Sequence, residues 1–399
     1  MPKDPQPRFV RVLVAGQVLA GLGQGATGSL GAVLATEVSG SEAWAGSVAT
    51  ASTLGAALVA IPLARLAAAR GRRVSLASGA LVAAGGSTTT VVAVGLGVFP
   101  LLHIGFAMLG VGAAVSLQAR FAATDVASDR HRGRDLSIVV WSTTVGAVVG
   151  PNLFGPGLVI SQWLSLPENT GSFLIAIAAQ LLAALVYLVG LRPDPLVLAR
   201  AHPVLPTPEL AEGAVRGRAA LVFAIGTLAL SHASMVAVMS MTPVHLVHHG
   251  ASLVIVGFTI SLHIAGMFAL SPVFGWASDR LGRLPTILLG QVLFVSALGF
   301  TAAGQDSTVA VAVGLVLLGL GWSASTVAAS ALVADLASGA TRLRVQGRSD
   351  LSMSLAGAAG AAASGPVLAW LGYAGLSVAT MGLSATVVVG AFVIRRRAA

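Results

Sequence analysis

Five side chains in the second half of the chain have the types and spacing to bind a soft metal ion. His232, Met235 and Met239 lie at i, i+3 and i+7, and His263 and Met267 lie at i and i+4. Each set therefore falls on one face of a helix. Thioether and imidazole groups suit Cu(I) in particular, because soft ligands favour soft ions. The pattern predicts a copper site with Met235, Met239, His263 and Met267 as ligands and His232 as a relay or fifth ligand.

The two helices that carry these side chains are expected to be antiparallel neighbours joined by a short turn near residues 248–252. Counted from that turn, both sets lie roughly 12–23 Å deep at 1.5 Å per residue, near the middle of a ~30 Å hydrocarbon core. Four of the eight methionines and five of the eight histidines fall between His232 and Met267. Methionine also fills irregular gaps in apolar interiors, so packing is the alternative interpretation of the cluster.

The composition places these helices in a membrane. The chain has 399 residues, of which 56% are hydrophobic and 9% are charged, and the mean hydropathy is +0.89. No soluble domain has this balance, so we expect an all-α, multi-pass membrane protein. The 48 glycines favour close helix packing. With no cysteine in the chain, disulfides and thiolate metal sites are excluded.

Twelve hydrophobic segments are long enough to cross a bilayer. The predicted spans are 12–36, 43–66, 74–97, 100–124, 136–160, 169–191, 219–247, 252–277, 284–303, 308–334, 350–370 and 373–394. The first follows Arg8 and Arg11 and has no clear cleavage site, so it is interpreted as a retained helix and not a signal peptide.

All 23 basic residues fall on one side of this arrangement, in the termini, the central linker and alternate loops. The opposite loops carry only Glu37, Glu42, Glu168 and Asp306, together with His248 and His249. The positive-inside rule then places both termini in the cytoplasm, with the protein in the cytoplasmic (inner) membrane. Topology therefore explains the basic composition, and no nucleic-acid partner is expected.

A linker rich in proline and charge, at residues 192–218, divides the chain into an N-terminal six-helix bundle (1–191) and a C-terminal one (219–399). The halves repeat each other. Asp135-Leu-Ser precedes Gly150-Pro at the same distance as Asp350-Leu-Ser precedes Gly365-Pro. A parallel repeat of this kind indicates two bundles related by an axis along the membrane normal.

The loop after span 8 reads G-x-x-x-D-R-x-G-R from Gly275, with Asp279, Arg280, Gly282 and Arg283 at the fixed positions. With twelve spans and two repeats, the whole chain resembles the major facilitator superfamily. The resemblance implies that fold, and these four residues are expected to gate the cytoplasmic side. We expect Asp279 to accept hydrogen bonds from the first turn of span 11 or from a nearby arginine. The first-half copy of the loop has Ala68 in place of the aspartate.

Two further features bear on the transported solute. Gly146-Ala-Val-Val-Gly150-Pro151 resembles the fifth-helix motif of drug exporters, but its repeat at Gly360 and Gly365-Pro366 favours a packing role. No Asp or Glu lies deep in any predicted span. Because an intramembrane carboxylate is the usual proton carrier, its absence weakens a proton-antiport interpretation, although histidine could serve.

Met235/Met239 and His263/Met267 look like the motifs of CcoA-type copper importers within the superfamily. That resemblance implies copper uptake by alternating access, with copper as the substrate and no cofactor. The alternative is an efflux carrier for a hydrophobic organic compound. The absence of a phosphate loop, a nucleophile elbow or a carboxylate pair argues against an enzyme. The lipid bilayer is the expected environment. The sequence does not determine the oligomeric state, and a monomer is the working hypothesis.

Overall fold

In the computed structural model, every regular element of the described residues is helical. The described residues are 6–28, 30–41, 44, 47–128, 131–167, 169–201, 214–251, 253–337 and 341–398. Arg130, Glu42, Glu168 and residues 202–213 of the predicted linker lie outside them. The helices are α1 (Gln6–Gly28), α2 (Gly31–Ser39), α3 (Ser47–Leu96), α4 (Phe99–Ala122), α5 (Arg132–Val149), α6 (Phe154–Trp163), α7 (Gly171–Gly190), α8 (Pro195–Ala201), α9 (Ala214–His248), α10 (Leu253–Phe268), α11 (Ser271–Arg280), α12 (Arg283–Ala303), α13 (Thr308–Leu336) and α14 (Arg342–Ala398).

The predicted all-helical membrane architecture with twelve spans is confirmed. Nine helices within the described residues are long and apolar enough to cross a membrane. Two of these nine, α3 and α14, each join two predicted spans across a kink, at Gly71 and Gly372. Both glycines have positive φ, of 88° and 68°, a conformation that L side chains rarely adopt. Three predicted spans are each divided between two helices. The first is shared by α1 and α2, and the eighth by α10 and α11. In the fifth, a 3-10 turn at Gly150–Leu153 separates α5 from α6.

The chain forms two compact units, which differ from the predicted bundles at one place. The first unit comprises Met1–Ala127 and Ser142–His202, and the second comprises Ser128–Trp141 and Pro203–Ala399. The start of α5, which the sequence assigns to the N-terminal bundle, thus clusters with the second unit. The cause is local contact with α11, described below. The boundaries of the two six-helix bundles stay a prediction.

Close backbone contact between helices organises the first unit. A side chain at Gly25 would place its Cβ 2.5 Å from the carbonyl oxygen of Gly146, and one at Gly150 would meet Gly25 in turn. The glycines of the predicted exporter-like motif therefore pack α5 and the following 3-10 turn against α1, as expected of small residues at membrane helix crossings.

In the second unit, α13 packs against α9, α10, α11 and α12. Glycines again permit the approach: a Cβ at Gly319 of α13 would lie 2.4 Å from the carbonyl oxygen of His263 on α10. A Cβ at Gly360 of α14 would lie 2.6 Å from the carbonyl oxygen of Ala233 on α9. Because α10 packs chiefly against α13 and contacts α9 little, α13 has to be considered in any site that includes both α9 and α10.

Candidate functional site

His232 lies on α9 between α13 and α14. The indole Nε1–H of Trp322 donates a hydrogen bond to His232 Nδ1 over 3.1 Å. On the other side, a Cβ at Gly357 would lie 2.8 Å from His232 Nε2, so a larger residue there would displace the imidazole. The Trp322 bond makes Nδ1 an acceptor, which leaves the proton of a neutral ring on Nε2.

Phe268 of α10 completes a group of three rings around Trp322. The Phe268 and Trp322 rings meet edge to face with centroids 5.7 Å apart, and the His232 ring is 6.1 Å from Trp322. Trp322 is buried, whereas His232 and Phe268 are half-buried. Counted at 1.5 Å per residue, the three residues lie roughly 18–23 Å from the ends of their candidate spans at Gly217, Leu336 and Arg280. We call His232, Trp322 and Phe268 the ring cluster.

His263 occupies a different place on α13. Its ring is fully buried, and Nδ1 lies 2.7 Å from the carbonyl oxygen of Leu315, to which it donates. Nε2 then carries a lone pair, and it has no hydrogen-bond partner. Leu315 and Trp322 are seven residues apart, roughly 10.5 Å along a helix. The two imidazoles that the sequence groups together therefore contact different turns of α13.

The methionines of the predicted copper site are mostly buried. Met235 and Met267 are 3% and 8% exposed, and Met239 is half-buried. The backbone of Met267 lies against Gly319. Within the described part of the chain, no group of three or more His, Asp or Glu side chains is placed to hold a metal ion. Convergence of the four predicted ligands stays a prediction.

Three of the five histidines counted in the sequence cluster lie at the far end of α9, away from the ring cluster. His245 stacks on Tyr373 with centroids 4.1 Å apart and contacts the Gln305 carbonyl oxygen over 2.7 Å. The next turn places His249 Nδ1 2.9 Å from the His245 carbonyl oxygen and Nε2 3.3 Å from Asp306. His248 is exposed. These residues join α9 to the α12–α13 turn and to α14.

Asp279, at the end of α11, accepts hydrogen bonds from the first turn of α5. Its Oδ1 and Oδ2 accept from the backbone N–H groups of Gly133 and Arg134 over 2.9 and 2.8 Å. These are free donors of a helix N-terminus, where the helix dipole favours negative charge. The expected partner was the first turn of span 11 or an arginine. The arginine is Arg283, which donates to Oδ1, but the helix is α5.

Glycine spacing in the motif permits this contact. A Cβ at Gly275 would lie 2.6 Å from the carbonyl oxygen of Gly133, so α11 and α5 touch at their backbones. Ser271 Oγ also donates to the carbonyl oxygen of Ser137 over 3.1 Å. These bonds explain why Ser128–Trp141 belongs to the second unit.

The remaining predicted gating residues have separate roles. Arg283 Nε donates to Asp335 over 2.9 Å, and Arg132 donates to the other oxygen of Asp335 over 3.0 Å. Gly282 has φ of 100° and is the residue immediately before α12. Arg280 is exposed.

The sequence did not identify Arg132 as an ion-pair partner, or Trp322 and Phe268 as site residues. The signal available for the last two was that they are aromatic residues on neighbouring spans at similar depth.

Comparisons with known proteins agree with this architecture. The sequence matches the Major Facilitator Superfamily profile over residues 13–270 and 224–399. It is 35% identical over 383 residues to the uncharacterized MFS-type transporter YdeG of Bacillus subtilis, covering 94% of this chain and 89% of that protein. It is 28% identical over 357 residues to the riboflavin transporter RfnT of Brucella anthropi, covering 87% and 85%.

Solved structures show the same fold. The crystal structure of the human organic anion transporter MFSD10 superposes with a TM-score of 0.78 at 16% identity, covering 98% of this chain and 100% of that one. The predicted fold class is thereby confirmed, while the finer resemblance to CcoA-type copper importers stays a prediction. The chain belongs to the major facilitator superfamily and is a multi-pass membrane transporter, not an enzyme.

Proposed function

We propose that this transporter carries a planar, ring-containing organic solute, and that the ring cluster forms part of its binding surface. The observation that carries the proposal is the group of His232, Trp322 and Phe268 on three helices at one depth. Aromatic faces bind planar rings by stacking and edge contacts. The imidazole of His232 adds polar character beside the two aromatic rings, and small-molecule sites combine apolar walls with a few polar groups.

The relative RfnT supports this solute class, because riboflavin is a planar, ring-containing organic compound. An identity of 28% supports a proposal about the class of solute, but it does not identify the compound. The proposal corresponds to the organic-solute alternative of the sequence analysis, without its direction of transport.

Copper uptake is the second candidate, and His263 is the observation that favours it. Its unpartnered Nε2 is a lone pair held in a buried site by the Leu315 bond, as metal-binding imidazoles are held by their second nitrogen. Met235 and Met267, both buried, are the nearest candidates in the sequence pattern. Against copper stand the separation of His232 from His263 along α13 and the ring neighbours of His232.

In either case Asp279 would act as a cytoplasmic lock in alternating access. While the carboxylate caps α5, residues 128–141 are held in the second unit. Release of the two backbone bonds would free that segment, and the cycle would require the bonds to form and break once per turnover.

Proteoliposomes test the two candidates with riboflavin and Cu(I) as separate probes. The organic proposal expects riboflavin flux that Trp322→Ala reduces about ten-fold, the loss of roughly 1.4 kcal/mol of binding, while Trp322→Phe keeps most of it. Met235→Leu should be near normal, because this swap nearly preserves volume. Copper flux that is lost in Met235→Leu and Met267→Leu but kept in Met241→Leu would instead establish the second candidate.

A further inference from the structure

A groove of about 560 Å³ runs between α9 and the last part of α14 in the second unit. Its walls are largely apolar, and its lining includes Val222, Phe223, Leu230, Val387, Gly390 and Val393. Thr227 and Thr386 are the uncharged polar residues among its lining. Walls of this chemistry fit a hydrocarbon chain better than a polar solute.

The groove begins near the ends of two candidate spans, and its length is close to that of one bilayer leaflet. Its lining residue Arg218 is the second residue of the candidate span Gly217–Leu246, and Arg396 ends the candidate span of α14. From Arg218 to Leu230 the groove follows α9 over roughly 18 Å at 1.5 Å per residue. Half of a ~30 Å hydrocarbon core is about 15 Å, so the length suits one acyl chain.

Positive charge surrounds the mouth of the groove. Arg218 lines it, and Arg395 and Arg396 follow the lining residue Ile394; all three arginines are exposed. The sequence has no acidic residue in 217–230 or in 386–396. Arginine binds phosphate oxygens in a bidentate manner, and basic pockets between membrane helices bind anionic headgroups.

We propose that this groove is a binding site for an anionic phospholipid. One acyl chain lies between α9 and α14, and the phosphate contacts Arg218, with Arg395 and Arg396 adding positive charge. The site involves none of the residues of the ring cluster or of the predicted copper site. The lipid proposal therefore does not depend on which solute the protein carries.

Lipid binding by the purified full chain tests the proposal. The detergent-solubilised protein is titrated with phosphatidylglycerol and with phosphatidylethanolamine of identical acyl chains, and bound lipid is counted by native mass spectrometry. We expect one phosphatidylglycerol to bind about ten-fold more tightly than phosphatidylethanolamine, a difference of roughly 1.4 kcal/mol. Equal affinity for the two lipids would overturn the proposal.

Two variants and a matched control localise the site. Open space faces Gly226 in the groove, so Gly226→Leu should fill the groove and abolish binding of either lipid at this site. Gly382→Leu is the control: Gly382 lies on α14, also faces open space and does not line the groove. Leucine favours a helix over glycine, so neither change should unfold the protein.

Arg218→Gln separates the headgroup from the acyl chain. This variant should bring the ratio of the affinities for phosphatidylglycerol and phosphatidylethanolamine close to one, while the apolar groove for the acyl chain stays intact. An unchanged preference in Arg218→Gln, or equal lipid retention in Gly226→Leu and Gly382→Leu, would overturn the assignment.

Discussion

The two copies of the loop motif share a glycine conformation and an Arg–Asp pair. They differ in which residue supplies the carboxylate that accepts a backbone hydrogen bond at the loop. Gly71 and Gly282 adopt nearly the same backbone conformation, with φ of 88° and 100°. The arginine after each glycine pairs with an aspartate near the end of the helix two spans on. In the first copy this pair is Arg72 with Asp125 at 2.8 Å, and in the second it is Arg283 with Asp335 at 2.9 Å.

The surroundings of the two pairs are unlike. Arg72 and Asp125 have side-chain exposures of 1% and 0%, whereas Arg283 and Asp335 have 13% and 27%. The first pair is therefore part of the interior of its unit. The second is partly open to solvent, so its attraction is weakened by water and breaking it costs less than breaking a buried pair.

The first loop has Ala68 where the second has Asp279, and the linker supplies a carboxylate instead. Asp194 Oδ2 accepts from the backbone N–H of Arg73 over 2.8 Å, and its Oδ1 caps the start of α8 at Leu196. Arg200 of α8 donates to the carbonyl oxygen of Ala68 over 3.0 Å. The comparison indicates a fixed loop in the first unit and a releasable lock in the second.

The largest effect on stability is expected at the buried pair. Arg72→Met leaves Asp125 as a buried carboxylate without its arginine, and removing one partner of such a pair costs about 3–5 kcal/mol. Arg283→Met should cost less, since its partner Asp335 is partly exposed to solvent. The midpoints of thermal unfolding in detergent measure both. Equal losses would contradict the distinction between a fixed and a releasable pair.

The largest effect on transport is expected at Asp279. Asp279→Ala removes both bonds to the α5 backbone, so turnover should fall about ten-fold, an effect of roughly 1.4 kcal/mol, with normal expression. Because the chain has no cysteine, a thiol introduced at the fully buried Ser137 can be labelled selectively. Labelling should rise in the Asp279→Ala background.

Arg280→Gln is the matched control for Asp279, because Arg280 is its neighbour and is exposed. This variant should transport and label at Ser137→Cys like the parent. If Arg280→Gln and Asp279→Ala behave alike, the loop only fixes topology through its charge.

A smaller effect is expected at Asp194. Asp194→Asn weakens the charge-assisted bonds that hold α8 on the loop, each worth about 1.5–3 kcal/mol, so the linker should detach more often. A cysteine at the buried Leu196 should then be labelled several-fold faster, whereas one at the exposed Val197 should react equally in both backgrounds. Protection of Leu196→Cys in Asp194→Asn would show that Asp194 does not anchor the linker.

The smallest effect is expected from giving the first loop its own aspartate. Ala68 is exposed, and surface substitutions usually change stability by less than about 0.5 kcal/mol. In the second loop the aspartate pairs with the arginine four residues on, so Ala68→Asp should not replace the bond of Asp194 to Arg73. Stability and Leu196→Cys labelling in the Asp194→Asn background should stay unchanged. Restored protection of Leu196→Cys would mean that any nearby carboxylate suffices.

The sequence predicted the fold well because membrane helices are specified locally. Hydropathy over some twenty residues identifies a span, and the halves repeat at the Asp and Gly-Pro positions. The kinks at Gly71 and Gly372 fall between predicted spans. The first, fifth and eighth spans depart from a single helix; in the fifth, Gly150 permits a close approach to Gly25 at the break.

The candidate site was less predictable. Helical periodicity placed His232 and His263 at comparable depths but could not show that α13 packs against both helices. The His232–Trp322 bond joins residues 90 positions apart, and the His263–Leu315 bond joins residues 52 apart. Such pairings depend on helix packing angles and rotation, which no local pattern determines.

By itself, the sequence determined a twelve-span, two-repeat transporter with a Gly-Arg loop in each half, because these features depend on hydropathy and short-range spacing. Only the tertiary structure decided that Asp279 caps α5, that Asp194 serves the first loop, and that the two histidines contact different turns of α13. Each of these contacts joins distant residues through helix packing, where small side chains set how closely two backbones approach and so which polar groups meet.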